Sequence, residues 1–328
     1  MSSEPGKTKF GTFGGVFTPC TLTILGAIMF LRFGFVVGQA GVFYAMLIVI
    51  ASKVITSLTS LSLAAIATNT RVKGGGAYYL ISRSLGVDFG GAIGIVFFLA
   101  QAISVAMYVI GFTEAFAATF PAAGEHFTAI ATAINIGTFL CVYIGAGWTI
   151  KVQYLILAIM AASFYTGAIA DFDLASLQTN MTPHLNVGES VFTMGALFFP
   201  AVTGIMAGAN MSGDLANPSR SIPRGTLLAV AVTAMVYLSM AVLLGGSRTA
   251  AELSGNNLII KDIATWPVWI TAGVFAATLS SALGSMMGAP RILQAFARDE
   301  VFGWMKFFAA GSGASNEPRR ATVITFVI

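Results

Sequence analysis

From residue 17 onward the chain is patterned by long apolar runs cut by short polar stretches. A helix needs about 20 predominantly apolar residues to cross the hydrocarbon core of a bilayer. Runs of that length fall near 17–38, 42–66, 92–116, 127–146, 152–170, 191–212, 225–246 and 267–288. A ninth opens at Ala321 and reaches Ile328 without a polar exit, so the sequence reads as a chain cut within a span. The pattern predicts an all-α polytopic membrane protein with eight spans and the start of a ninth.

Composition agrees with the pattern. Hydrophobic residues make up 56% of the 328 residues and charged ones 9%, whereas soluble domains carry about 25% charged residues. The polar opening MSSEPGKTKFG, followed by an apolar run too long for a signal h-region, gives no secretory signal. The net charge of +4 is not a nucleic-acid footprint, because the basic residues follow topology. With the N-terminus inside, Lys7, Lys9, Arg71, Lys73, Arg83, Lys151, Arg220, Arg224, Arg291, Arg298, Lys306, Arg319 and Arg320 all fall on the inner side. Only Arg248 and Lys261 fall in outer loops, which fixes the expected orientation. Cys20 and Cys141 lie in different spans and are expected to be free, buried thiols.

Two apolar runs carry helix breakers at equivalent places. TPCTLTILGAIMFLRFG in the first and FFPAVTGIMAGAN in the sixth each place a proline before a glycine, amid small or hydroxylated residues. An unpaired backbone group in hydrocarbon costs several kcal/mol, so such a break persists only where protein, water or a ligand satisfies it. The starts of these runs are five spans apart, and an odd number means that the two units enter the membrane from opposite sides. That is the inverted-repeat plan of secondary transporters with discontinuous first helices. It divides the chain into a cytosolic segment 1–15, a five-span repeat with its outer loop over 16–190, and a partial second repeat over 191–328. Broken helices present free amides at one half-helix end and free carbonyls at the other, so one site can hold an anion and a cation without charged side chains. Close packing of small residues is the alternative use of the same glycines.

Within the spans the strongly ionic side chains are Arg32, Lys53 and Glu114. Arg32 and Glu114 lie at similar depth toward the outer ends of spans one and three, with opposite sign. They are expected to pair, either as an outer gate or as a static packing contact. Lys53, near the middle of span two, needs a partner within the bundle.

Four stretches resemble the cation-chloride cotransporters, within the amino acid, polyamine and organocation superfamily: LTILGAIMFLRFGFVVGQAG, AAIATNTRVKGGGAYYLISRSLG, FFPAVTGIMAGANMSGDLANPSRSIPRGT and LSSALGSMMGAPRILQAFARDE. The likeness runs from Phe13 on. It implies the LeuT-like inverted repeat, here truncated within its second half, and movement of Cl⁻ with K⁺, Na⁺ or both, with no cofactor. By position, it implies potassium ligation by the carbonyls of Thr23, Ile24 and Pro200 and the hydroxyls of Tyr108 and Thr203. Neutral oxygens that replace a hydration shell suit that ion. Thr23 stands where relatives usually have asparagine, a change that a backbone ligand tolerates. Tyr108, within AMYVIGF, is a place where the sodium-chloride branch departs from tyrosine.

The same resemblance implies sodium ligation by the backbone of Leu22 and Leu25, the carbonyl of Ala277 and the hydroxyls of Ser280 and Ser281, a serine pair absent from the potassium-chloride branch. Chloride is implied at the amides of Gly26, Ala27 and Ile28 and of Gly204, Ile205 and Met206. A span-ten tyrosine that completes the family's second anion site is outside this chain. Lys53 departs from the small polar residue usual in relatives. The partners implied are inorganic ions and the lipid bilayer, with a homodimer in the full-length form and no nucleic acid; the location implied is the plasma or cell membrane.

Three functions follow for comparison. The first is an electroneutral symporter coupling Na⁺, K⁺ and Cl⁻ by alternating access. The second is an amino acid permease on the same fold, against which Leu25 and Ile28 fill the space a substrate would need. The third is an inactive, truncated membrane scaffold. An enzyme is not indicated, because no cluster of His, Cys or carboxylates has catalytic spacing. KGGGAYYLISRSLG is expected to form a short amphipathic helix beneath the transport site, since it lacks a P-loop's GK[ST] ending. Asn180-Met181-Thr182 fits a glycan acceptor sequon in the outer loop.

Overall fold

The computed structural model describes residues 10–69, 76–144, 150–210, 212, 215–313 and 316–328. The positions 70–75 of the first inner loop, with Arg71 and Lys73, lie outside the described residues, as do the N-terminal segment 1–9 and Asp214. Apolar runs with little charge can satisfy their backbone in hydrocarbon only as helices, and the described chain is helical throughout, with no strand among the described residues.

The first run divides into α1 (Thr18–Ile24) and α2 (Ala27–Leu31), followed by α3 (Phe33–Asn69). A short π-helical turn, Phe13–Phe17, precedes them. Gly41, at φ +72°, interrupts α3 and turns the chain from span one into span two. Then come α4 (Gly76–Leu85), α5 (Val87–Thr119), α6 (Phe127–Ile144), α7 (Ile150–Ala170) and α8 (Leu174–Thr179). The sixth run is α9 (Val191–Phe198), a 3₁₀ turn (Phe199–Val202) and α10 (Ala207–Asn210). Finally α11 (Pro218–Ser247), α12 (Ala250–Gly255), α13 (Ile259–Ile263), α14 (Pro267–Arg298), α15 (Lys306–Ala309) and α16 (Arg319–Val327) complete the chain.

Among the described residues seven stretches are long and apolar enough to cross a membrane, and Leu157–Ala170 is a shorter apolar helix at the place expected for span five. Predicted spans one and six fall on broken helices and the other six each on one helix, several of which run further: α5 begins at Val87, α11 at Pro218, and α14 continues to Arg298. The extra turns intersperse charged residues such as Asp88, Arg220, Arg224, Arg291 and Arg298 among apolar ones, so hydropathy misses them although the helices continue.

Two long pairs make the frame, α14 along α5 and α11 along α3. The broken helices lie between them, with α1 against both α11 and α14. Outward faces of α3, α5 and α9 expose large apolar side chains such as Leu58, Val96 and Phe192, as helices bathed in lipid require. Cys20 is buried and free, as expected; Cys141 is free but exposed. Its span is apolar on every side, and sequence cannot distinguish cover by lipid from cover by protein.

The short helix expected in the inner loop is α4, with Tyr78 buried among Phe98 and Phe296 and Leu80 buried on another side among Val16, Cys20 and Leu63. Tyr78 donates its hydroxyl to Asp299 Oδ2 at 2.6 Å, and Arg83 donates to Asp299 Oδ1 at 2.6 Å, tying α4 to the end of α14. The bond to Asp299 holds the Arg83 guanidinium above its ordinary pKa, while burial, reinforced by Asp299, pushes the Tyr78 phenol up.

In the loop 171–190 the asparagine of the sequon is buried. Asn180 is 3% exposed, and its Nδ2 donates to the carbonyls of Gly245 (2.7 Å) and Arg248 (2.8 Å) at the end of α11. Both amide hydrogens are spent on protein, so Asn180 caps a helix rather than presenting a glycan acceptor. Asn180→Ala leaves two carbonyls without their donor at about 1–3 kcal/mol each; a lowered Tm is expected, with no glycosidase-sensitive mobility shift in the unmodified chain. A glycan on Asn180 is the outcome that contradicts this geometry.

Candidate functional site

The breaks are real and they meet. Helix α1 ends at Ile24; Leu25 donates to Thr21 O at 2.8 Å and then leaves helical geometry at φ −86°, ψ 44°. Gly26 follows in extended conformation, and no side chain caps the start of α2. Among the described residues no backbone amide bonds the carbonyls of Leu22, Thr23 or Ile24, which places three oxygens at a half-helix end where the dipole is negative. In the sixth run, Thr203 is extended and Gly204 sits at φ +108°, a conformation that favours glycine. A Cβ on Gly204 would lie 2.7 Å from Thr23 Cγ2 and 3.5 Å from Ile24 Cγ1. The two interruptions therefore pack directly on each other. Cys20 Sγ adds a bond across the same seam to Ile205 O at 3.3 Å.

Oxygens converge on Gly26. A Cβ there would stand 2.8 Å from Thr23 O, 3.4 Å from Ser281 Oγ and 3.7 Å from Leu22 O. Ser281 is 4% exposed, and its Oγ is buried without a hydrogen-bond partner among the described residues. A buried hydroxyl left without a partner is costly, of order 1–3 kcal/mol, so this orphan beside the break at Gly26 is a candidate ligand position. Beside it lies a cavity of ≈ 10 Å³ lined by Leu22, Leu25, Ala277 and Ser280, with Leu157, Met160, Gly273 and Ala276 closing it. Four residues implied for sodium thus line one small void and the fifth, Ser281, stands at its edge toward Gly26. The void has room for about one water-sized particle.

The residues implied for potassium are brought together less completely. Tyr108 is buried on α5. Tyr237 of α11 donates its hydroxyl to Ile24 O at 2.7 Å. Thr203 Oγ1 donates to Pro200 O at 2.7 Å, and both residues are exposed, so this wall of the site is open. Tyr237 is a residue that sequence reasoning missed. The amides implied for chloride, Gly26 to Ile28 and Gly204 to Met206, flank the two breaks.

Arg32, at the end of α2, meets Glu114 of α5 at 2.9 Å (Nη2 to Oε2). Their side chains are 31% and 36% exposed, so the pair is a partly exposed contact and not a buried bridge. Lys53 finds its partner within the bundle: Nζ donates to Thr233 Oγ1 at 2.7 Å and stands 5.5 Å from the centre of the Tyr237 ring.

A family model described as amino acid permease matches residues 15–328. The human protein named solute carrier family 12 member 1 is 36% identical over 384 aligned residues, which cover 99% of this chain and 35% of the relative. Mouse solute carrier family 12 member 2 is 38% identical over 393 residues, covering 100% of this chain and 32% of the relative. The chain spans about a third of the length of these curated relatives. Among solved structures, one described as the substrate-bound outward-open state of a Na⁺-coupled sialic acid symporter matches 98% of this chain and 72% of its own, with a TM-score of 0.62 and 12% identity. At that identity the match shows the fold alone, which is the LeuT-like one expected from the two breaks. The four motifs lie within a chain that is similar to solute carrier family 12 proteins over nearly its whole length, and the chain belongs to the amino acid permease family.

Proposed function

We propose that the chain forms the ion-handling core of a secondary active symporter that couples Na⁺ and K⁺ movement to Cl⁻ by alternating access. The observation that carries this reading is the convergence of Leu22 O, Thr23 O and the orphaned Ser281 Oγ on Gly26, beside a cavity of ≈ 10 Å³. Neutral oxygens in a space for one small particle suit a dehydrated alkali cation.

Sodium belongs at Leu22, Leu25, Ala277, Ser280 and Ser281, and potassium at Thr23, Ile24, Tyr108, Pro200 and Thr203. Chloride belongs on the amides of Gly26, Ala27, Ile28, Gly204, Ile205 and Met206. Each cation then lies beside an anion, which lowers the cost of bringing either into a low-dielectric site. The Arg32–Glu114 contact closes the outer end, and its opening hydrates both charges. The division into repeats 16–190 and 191–328, the plasma-membrane location, the cytosolic N-terminus and the homodimer are part of the same proposal.

The test is ion-replaced Rb⁺ uptake in cells expressing the protein. Uptake that needs both Na⁺ and Cl⁻ supports the reading; uptake indifferent to either, amino acid flux, or no flux at all defeats it. In that assay, reversing the charge at Arg32 or at Glu114 alone should lower uptake about tenfold, because attraction across the outer gate becomes repulsion worth roughly 1–2 kcal/mol after solvent screening. Reversing both should restore it. Failure of the double reversal removes the pair from the gate.

A further inference from the structure

Tyr237 lies in none of the sets implied for the ions, yet it touches the broken helix more directly than Tyr108 does. Its side chain is fully buried, with its ring edge-on to Phe33 (5.2 Å between centroids, 78°) and to Phe198 (5.1 Å, 89°). In an aromatic surround the phenol needs an acceptor, and Ile24 O, orphaned by the break at Leu25, needs a donor. Each satisfies the other at 2.7 Å.

The ring that carries this hydroxyl is itself held. Lys53 reaches from α3 to Thr233 Oγ1, one turn before Tyr237 on α11, and Thr233 Oγ1 donates on to Ala229 O at 2.7 Å. The ammonium thereby stands over the ring face at 5.5 Å, where the aromatic quadrupole attracts it. Removed from water, that attraction restricts the ring more than it would at a surface. A chain of contacts therefore runs from span two, through span seven, to the last carbonyl of α1.

We propose that Tyr237 is a positioning residue for the cation site: its hydroxyl takes one lone pair of Ile24 O, fixes the plane of that peptide and leaves the other lone pair for the ion. The inference rests on Ile24 being a potassium ligand, as in the reading above. A carbonyl acts as a good cation ligand when its direction is set before the ion arrives, since ordering it on binding subtracts from affinity. Lys53 supports this by locking the ring, which gives a place in the site to a charge that sequence left unexplained.

The test is Tyr237→Phe, which keeps the ring, its two aromatic neighbours and the ammonium contact, and removes only the hydroxyl. Half-saturating Rb⁺ in uptake should rise about fivefold or more, with maximal rate per surface-expressed molecule within about twofold and half-saturating Na⁺ changed by less than about twofold. Stabilisation of the purified protein by Rb⁺ against heating should need correspondingly higher Rb⁺, a readout independent of transport. A lower maximal rate with unchanged Rb⁺ saturation would show a packing role and overturn the inference. Tyr108→Phe serves as the reference. If it shifts Rb⁺ saturation and Tyr237→Phe does not, only this inference falls; if neither does, the potassium site itself is wrong and the inference falls with it.

Discussion

Alanine at Gly204 reduces ion flux to below a tenth of the parent while the protein still reaches the membrane. The added methyl meets two obstacles at once. At φ +108° an L side chain is strained, at about 1–3 kcal/mol. Its Cβ would also lie 2.7 Å from Thr23 Cγ2 and 2.9 Å from Thr23 Cβ, closer than carbon atoms approach, and overpacking of that kind costs about 1–3 kcal/mol more. Neither cost need unfold a protein framed by α3, α5, α11 and α14, because the two breaks can move apart. Moving apart separates Thr23 and Ile24 from the sixth run, and with it the two halves of the cation and anion sites. Uptake per surface-expressed molecule is the measurement. Parent-like flux in Gly204→Ala would mean that contact between the breaks is not needed for transport, and the site as drawn would fail.

What the sequence disclosed follows from the physics of each feature. The spans were legible because hydrocarbon imposes length and polarity together, and Pro200 with Gly204 betrayed a break because both residues offend a helix within the same turn. Arg32 and Glu114 could be paired from depth and sign alone, and they meet at 2.9 Å. Asn180 misled because a sequon is three residues long, while the carbonyls that occupy its amide belong to Gly245 and Arg248, beyond any local window. Tyr237 stayed hidden for the same reason: its acceptor, Ile24 O, is 213 positions away, and a tyrosine within an apolar run reads as an anchor or a packing residue. The helix ends at Pro218 and Arg298 were missed because secondary structure there continues past the apolar stretch that announces it.

Ser281 offers the sharpest separation between a site and a packing contact, because the two roles predict opposite signs for stability. Its Oγ is buried without a partner among the described residues, so in the empty protein it contributes only a desolvation cost, about 1–3 kcal/mol. Ser281→Ala removes that cost and leaves at most a hole the size of one oxygen. The ion-free protein should therefore melt at the same temperature or higher. With Na⁺ present, the oxygen's contact with the cation is lost; polar contacts to a charge are worth about 1.5–3 kcal/mol, which corresponds to roughly a 10- to 150-fold rise in the Na⁺ needed for half-maximal uptake. Thermal stabilisation by Na⁺ should weaken in parallel, since a ligand at free concentration L that binds only the folded state stabilises it by RT ln(1 + L/Kd) and a larger Kd shrinks that gain. A packing serine would behave in reverse, with a lower Tm in the absence of ions and an unaltered Na⁺ dependence. That result would take the oxygen cluster at Gly26 out of the transport cycle, and with it the main support for sodium coupling.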